Sequence, residues 1–270
     1  MRCLVVIPTY QEVGNVEQVL RRSRAALPDG EVLVVDDGSP DGTADRAEAV
    51  AAELRGVSVL RRQSKDGLGA AYRAGFAWGI ERSFEVLIEM DADLQHDPDA
   101  LPLLLGAIEA GAELAIGSRY VAGGSIPSWS WHRRALSKYG NRYAAIALGL
   151  PVSDATSGFR AYHADALRLL DTSAFRADGY GFQIETAYRI SRAGGRISEV
   201  PISFADRAVG ESKMSWRIVV EALVLVTWWG GRDRLFHRLR SRPGHDGRHR
   251  GTLLGRASRA QPPERPPRPG

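Results

Sequence analysis

The sequence is poor in lysine and nearly devoid of cysteine: three lysines stand against thirty-three arginines, and Cys3 is the only cysteine. A single cysteine excludes an intrachain disulfide framework and suits a reducing compartment. No apolar run approaches the roughly 20 residues needed to span a bilayer. The longest, "WRIVVEALVLVTWWGGR" from Trp216 to Arg232, is interrupted by Arg217 and Glu221. The opening "MRCLVVIPTY" is too short for a signal peptide and leads directly into a strand. No G-x-G-x-x-G follows that strand and no G-x-x-x-x-G-K-[ST] occurs, which excludes the dinucleotide fingerprint and the P-loop. "KDGLGAAY" is only loosely a phosphate loop, and its glycines serve equally to open a helix. Internal repeats are absent.

What is present alternates. "CLVVIP", "EVLVVDD", "VSVLRR", "EVLIEMD" and "AELAIGSR" are apolar runs of strand length, separated by segments with helical spacing. This predicts an α/β fold with a mostly parallel, Rossmann-like central sheet and helices on both faces. After Arg119 the alternation stops. The spacing then predicts a helix near Arg134–Leu148, a short strand at Phe159–Tyr162, a helix over Gly181–Ala193, a strand "RISEVPISF" and a last helix over Ser215–Trp229.

Charge divides the chain at about residue 231. Residues 232–270 hold eleven arginines, no lysine and three acidic residues, a net of +8, against −4 for residues 1–231. The last segment is also rich in Pro and Gly and is expected to be disordered. The expected organisation is a catalytic domain over 1–231 and a basic tail over 232–270.

Three strands end in polar clusters: "PTYQE" (Pro8–Glu12), "DDGSPDGT" (Asp36–Thr43) and "DADLQ" (Asp91–Gln95). Parallel strands bring such ends to one edge, where open α/β sheets bind ligands. Asp97 before Pro98 reads as a helix cap, and Asp99 favours the positive helix end. Asp91 and Asp93 serve neither strand nor helix. Two carboxylates this close can share a hard divalent cation, with Gln95 as a neutral oxygen nearby. His96 has no second histidine at zinc spacing and reads as structural. "DDGSPDGT" is by itself equally a turn, or its Asp37 accepts hydrogen bonds from a base or ribose. Trp129 and Trp131 either line a sugar or lipid path or pack before the helix.

Taken together, "IPTYQE", "VVDDGSPDGT", "KDGLGAAYRAGF", "MDADLQHDP", "IGSRYVAGG", "SGFRAY", "GYGFQIE" and "VPISFADRAVGESKMS" resemble the dolichol-phosphate mannose synthase group of family 2 glycosyltransferases, its bacterial polyprenol-phosphate members above all. The resemblance runs from about Cys3 to Trp229. It implies a GT-A fold, GDP-mannose as donor, polyprenyl monophosphate as acceptor and Mg²⁺ or Mn²⁺ as cofactor. Pro8, Tyr10, Glu12, Val35, Asp37 and Ala92 match nucleotide-sugar positions. Asp91, Asp93 and Gln95 match metal positions. Arg119, Arg133 and Ser137 match positions near the acceptor phosphate, and Arg207 and Lys213 match cationic positions near the phosphates.

The chemistry is coherent. A phosphate monoester with a second pKa of about 6 is already an anionic nucleophile near neutral pH. It needs cations to hold it rather than a general base. Direct attack on the anomeric carbon inverts it and gives a β-linked mannosyl phosphate. Such an enzyme is expected on the cytoplasmic face of the membrane, held peripherally by the C-terminal helix and arginine-rich tail, with room for a separate membrane partner. The same helix could equally pack on the domain. The nearest alternative is the same fold using UDP-glucose; a nucleic-acid-binding protein driven by the tail is more distant, because the body is acidic and carries no such motif.

Overall fold

The computed structural model describes residues 1–170, 179–205 and 223–232. Arg207, Lys213 and the basic tail from residue 233 lie outside them.

Seven strands form one sheet in the order β3-β2-β1-β4-β6-β5-β7. They are β1 (Cys3–Thr9), β2 (Glu31–Asp36), β3 (Val57–Arg61), β4 (Val86–Glu89), β5 (Leu114–Ser118), β6 (Arg160–His163) and β7 (Ile197–Pro201). β1 is parallel to both β2 and β4, β2 to β3, and β5 to β7. Among the described strands β6 alone runs antiparallel, between β4 and β5. The helices are α1 (Val16–Ala26), α2 (Thr43–Glu53), α3 (Leu68–Glu81), α4 (Leu101–Glu109), α5 (Trp131–Leu148), α6 (Ala164–Leu169) and α7 (Tyr180–Arg192). Residues 223–232 are also helical.

The near-continuous apolar strands follow from burial on both faces. Alternate residues of β1 show it: Leu4 and Val6 join a cluster with α3, α5 and α7, whereas Cys3, Val5 and Ile7 join one with α1 and α4. Helix α3 sits unusually close to the sheet. A Cβ at Gly75 would stand 2.3 Å from Val6 Cγ1, and one at Gly79 2.5 Å from Leu87 Cδ2, so hydrogen is required at both places.

The expected cap at Asp97 forms with a small difference. Asp97 accepts from the Asp99 amide at 3.1 Å and starts a short 3₁₀ turn, Pro98–Ala100, before α4. Gly42 occupies the N-cap of α2, and Asp41 instead accepts from the Thr43 amide and hydroxyl. Helix α6 answers to no expected helix: its six residues are too few for a periodic signal. Among the described residues no helix is long and apolar enough to cross a membrane.

Candidate active site

Strand direction assembles the site. Thr9 pairs with Asp36 and Val6 with Glu89, so the carboxyl ends of β1, β2 and β4 share an edge. β6 reverses direction, which makes β5 run the same way as β4 and puts Arg119 on that edge. The same reversal brings the loop before β6, Asp154–Phe159, to it as well.

The first two loops are stitched together. Asp36 accepts from the Thr9 hydroxyl at 2.9 Å, the Ser39 amide at 2.9 Å and the Ser39 hydroxyl at 2.6 Å. Ser39 in turn accepts from the Gln11 amide, and Thr43 from the Glu12 amide. This fixes the chain carrying Pro8, Tyr10 and Glu12 beside that carrying Asp37. The ammonium of Lys65 stands 3.9 Å from the centre of the Tyr10 ring. Asp37 is buried and takes a 2.6 Å bond from Arg62; burial raises its pKa, against the pull of the Arg62 charge. Val35 lies at the same edge, but its side chain is fully buried in the core, so only its backbone faces the loops.

At the end of β4, Asp91 accepts from the Tyr72 hydroxyl at 3.1 Å. Asp93 is buried and accepts from the Gln95 amide at 3.1 Å, while Ala92 packs into the core beneath. The Gln95 side chain is turned towards the Ala205 carbonyl, to which its Nε2 donates at 3.3 Å. His96 is structural, as its lack of a partner histidine indicated. Its Nδ1 accepts from the Asp91 amide at 3.2 Å, and its ring stacks on Phe159 at 5.0 Å. Burial depresses its pKa to about 4, which keeps the ring neutral. Behind Asp91, Glu89 is fully buried and takes a 2.7 Å bond from Gln183; burial raises its pKa to about 7.

Arg119 is held rigidly. Its Nε and Nη2 fork onto the Asp154 carboxylate at 2.7 Å each, and Nη2 also reaches Thr156 at 3.0 Å. Asp154 is anchored in turn, because its amide and that of Ser153 donate to Glu199. Thr156 and Asn141 exchange hydrogen bonds at 3.1 Å, and Asn141 also donates to the Ser137 carbonyl. Helix α5 is thereby tied to the Arg119 clamp. Arg133 lies 4.0 Å over the Trp129 ring, and Arg119 lies 5.5 Å from the same ring.

Beside these residues is a largely apolar cavity of about 330 Å³, whose lining includes Trp129, Arg133, Ser137 and Thr156 together with Leu136, Tyr143, Ile184 and Val226. Trp129 Nε1 and Arg133 Nε are both buried with no hydrogen-bond partner among the described residues.

The comparisons agree with this fold. Residues 4–170 match the family model described as glycosyl transferase family 2. The chain belongs to glycosyltransferase family 2. An undecaprenyl-phosphate mannosyltransferase from Micrococcus luteus is 52% identical to this family 2 enzyme over 244 residues, 90% of this chain and 100% of the relative. A polyprenol monophosphomannose synthase from Mycolicibacterium smegmatis is 49% identical over 235 residues, 87% of this chain and 89% of the relative. Glucosyl-3-phosphoglycerate synthase from Mycobacterium tuberculosis, solved with Mn²⁺ and UDP-glucose, has the same fold, with a TM-score of 0.63 at 22% identity over 85% of this chain and 79% of that one.

The candidate site thus has Asp91 and Asp93 on one loop, and Arg119 and Arg133 about one indole, that of Trp129, with Ser137 lining the cavity beside them. Sequence reasoning missed Asp154, Asn141, Thr156 and Tyr72. Tyr72 lies within "KDGLGAAYRAGF" but carries no signal of its own there, and each of the four acts on a side chain at least 15 residues away.

Proposed function

We propose that this glycosyltransferase moves mannose from GDP-mannose to a polyprenyl monophosphate and works peripherally at the inner face of a membrane. The bond from the anomeric carbon to the diphosphate breaks, and a bond to an acceptor phosphate oxygen forms. GDP leaves, and the product is a β-linked mannosyl phosphate lipid.

The observation that carries this reading is a largely apolar cavity with the cation Arg133 in its lining. An acceptor with a hydrocarbon chain and an anionic head has that division of character. Arg133 Nε and Trp129 Nε1, two buried donors without partners, suit the anion. Arg119 is fixed nearby by Asp154, so its charge is placed before the acceptor arrives. The acceptor oxygen carries its own negative charge, and no side chain is required to take a proton from it.

Asp91 and Asp93 would hold a divalent cation. The donor set is oxygen only, because His96 spends Nδ1 on the Asp91 amide, and this suits Mg²⁺ or Mn²⁺. When bound, the cation neutralises charge developing on the departing diphosphate. Tyr72 orients Asp91 for this, and the Gln95 amide orients Asp93. Arg207 and Lys213, outside the described residues, belong to the same proposal as further phosphate contacts. The names of the two bacterial relatives support mannose as the sugar and a polyprenyl phosphate as the acceptor.

The test incubates the protein with polyprenyl phosphate, Mg²⁺ or Mn²⁺, and labelled GDP-mannose or UDP-glucose in parallel. Label entering the lipid phase from GDP-mannose alone supports the proposal. Label from UDP-glucose alone replaces the donor, and no transfer from either removes the proposal.

A further inference from the structure

Beyond β7 the chain runs on across the candidate site. The Ile202 amide donates to the Ser118 carbonyl at 3.1 Å, and the Phe204 amide to the Ser125 carbonyl at 2.9 Å. On the other side the Ala205 amide donates to the Gln95 carbonyl at 3.1 Å, and His96 pairs with Phe204 as an antiparallel bridge. The segment is therefore laced to the loop after β5, which leads to Trp129, and to the loop that begins with Asp91 and Asp93. Side chains alternate along such an extended stretch. Ser203 and Ala205 are exposed, and Phe204 between them is half-buried.

The Phe204 ring joins the two loops. It meets His96 edge to face at 5.5 Å between ring centres, and Trp129 at 5.8 Å. Among the described residues it is the one ring in contact with both. Each of these neighbours carries a part of the site: His96 accepts from the Asp91 amide, and Arg133 lies over Trp129. Phe204 belongs to neither cluster of the hydrophobic core, where a phenylalanine that served folding alone is normally found.

The neighbours differ in how firmly they are held. His96 is fixed by Phe159 on its face and the Asp91 amide on Nδ1. Arg119, 5.4 Å from the Phe204 ring centre, is fixed by the Asp154 fork. Trp129 has no such anchor. Its Nε1 finds no hydrogen-bond partner among the described residues, although the residue is only 6% exposed. Packing keeps this indole in place, and Phe204 is the described ring that packs on it.

We propose that Phe204 is a positioning residue for the transfer reaction. Its ring fixes Trp129, and through it Arg133, relative to the loop of Asp91 and Asp93. An acceptor phosphate held by the arginines is thereby set at a defined place against a donor held by the aspartates, as an in-line displacement requires. The inference rests on the proposed function and adds to it a residue that acts through another.

The experiment measures steady-state kinetics of the full chain with donor and acceptor each varied. Phe204→Ala is expected to raise KM for polyprenyl phosphate about fivefold, the loss of one edge-to-face contact, with kcat and the donor KM unchanged. Phe204→Tyr keeps the ring and should restore the wild-type value. Phe204→Leu keeps most of the volume without the ring, and makes the same test should the alanine variant fold poorly. In a Trp129→Ala background Phe204→Ala should add nothing to KM, because the group it positions is gone. A purely structural role would instead lower the active fraction, and with it the apparent kcat, at unchanged KM. A second readout needs no substrate. Acrylamide should quench the tryptophan fluorescence of Phe204→Ala more than that of the wild type, and the increase should vanish when Trp129 is also replaced by Phe.

A wild-type acceptor KM in both the alanine and leucine variants, a lower kcat at unchanged KM, or an effect that multiplies with that of Trp129→Ala overturns the proposal. Transfer from UDP-glucose alone replaces the donor, and the same rise in acceptor KM upholds Phe204 there. A wild type that transfers no sugar from either donor removes the functional reading, and the quenching then decides Phe204 by itself. An increase upholds its hold on Trp129, and no increase overturns it.

Discussion

The guanidinium of Arg133 lies 4.0 Å over the indole of Trp129, and Arg119 reaches the same ring from 5.5 Å. One indole therefore spaces the two arginines expected at the acceptor phosphate, fourteen positions apart in the chain. A cation–π contact at a partly desolvated site contributes about 0.5–2 kcal/mol. Trp129→Ala is expected to raise KM for polyprenyl phosphate about tenfold, with a smaller change in kcat and none in donor binding. Trp129→Phe keeps the ring and loses the N–H, and should fall between the two. Steady-state kinetics with acceptor varied at saturating GDP-mannose gives the answer.

Asp93→Ala is expected to reduce transfer at least about a thousandfold, which is about 4 kcal/mol of barrier. The side chain orders its own loop by accepting from the Gln95 amide, so the domain should remain folded. Circular dichroism checks the fold, and titration with GDP-mannose and Mn²⁺ checks the metal-dependent part of donor binding. Full activity in this variant would remove Asp93 from the metal site.

Asp154→Ala leaves Arg119 buried without its carboxylate. Breaking a buried pair from one side costs about 3–5 kcal/mol. The expected result is a lower denaturation midpoint together with lost activity. Replacing Arg119 by Met as well removes the stranded charge, and should recover part of the stability and none of the activity. Denaturant titration of the two variants measures the difference.

How much of this was legible depended on distance along the chain. The apolar runs that became β1, β2, β4 and β5 are local, and so is the cap at Asp97. Each was readable because its cause lies within a few residues. The edge carrying Pro8, Asp37 and Asp91 followed from parallel strands alone. The reversed β6 could not be read, because it pairs with partners more than 40 residues away on both sides. That reversal brings Asp154 to Arg119. Arginine 119 was identifiable from its motif, but its clamp depended on topology. Trp129 left both readings open in the sequence. In the structure it packs against Phe204 and also lines the cavity.

His96 gives the fold a defined acid sensitivity. Its pKa is about 4 in the folded chain, against an ordinary value of 6.5, because burial disfavours the charged ring. Protonation therefore favours the unfolded state. The stabilisation is complete above pH 6.5 and is lost as the pH falls towards 4. His96→Phe retains a ring against Phe159 and cannot take the proton. In metal-free buffer it is expected to flatten this part of the stability profile, from a lower starting level because the Asp91 amide loses its acceptor. Denaturation midpoints at several pH values read the slope.

The most direct test of the central claim is the structure of the lipid product. Protein, Mg²⁺, GDP-mannose and polyprenyl phosphate are incubated together, and the extracted lipid is read by proton and phosphorus NMR. The account predicts one phosphodiester carrying mannose in the β configuration. An α-linked sugar would contradict direct attack by the acceptor's own phosphate oxygen, and a lipid phosphate left unmodified would contradict the acceptor itself.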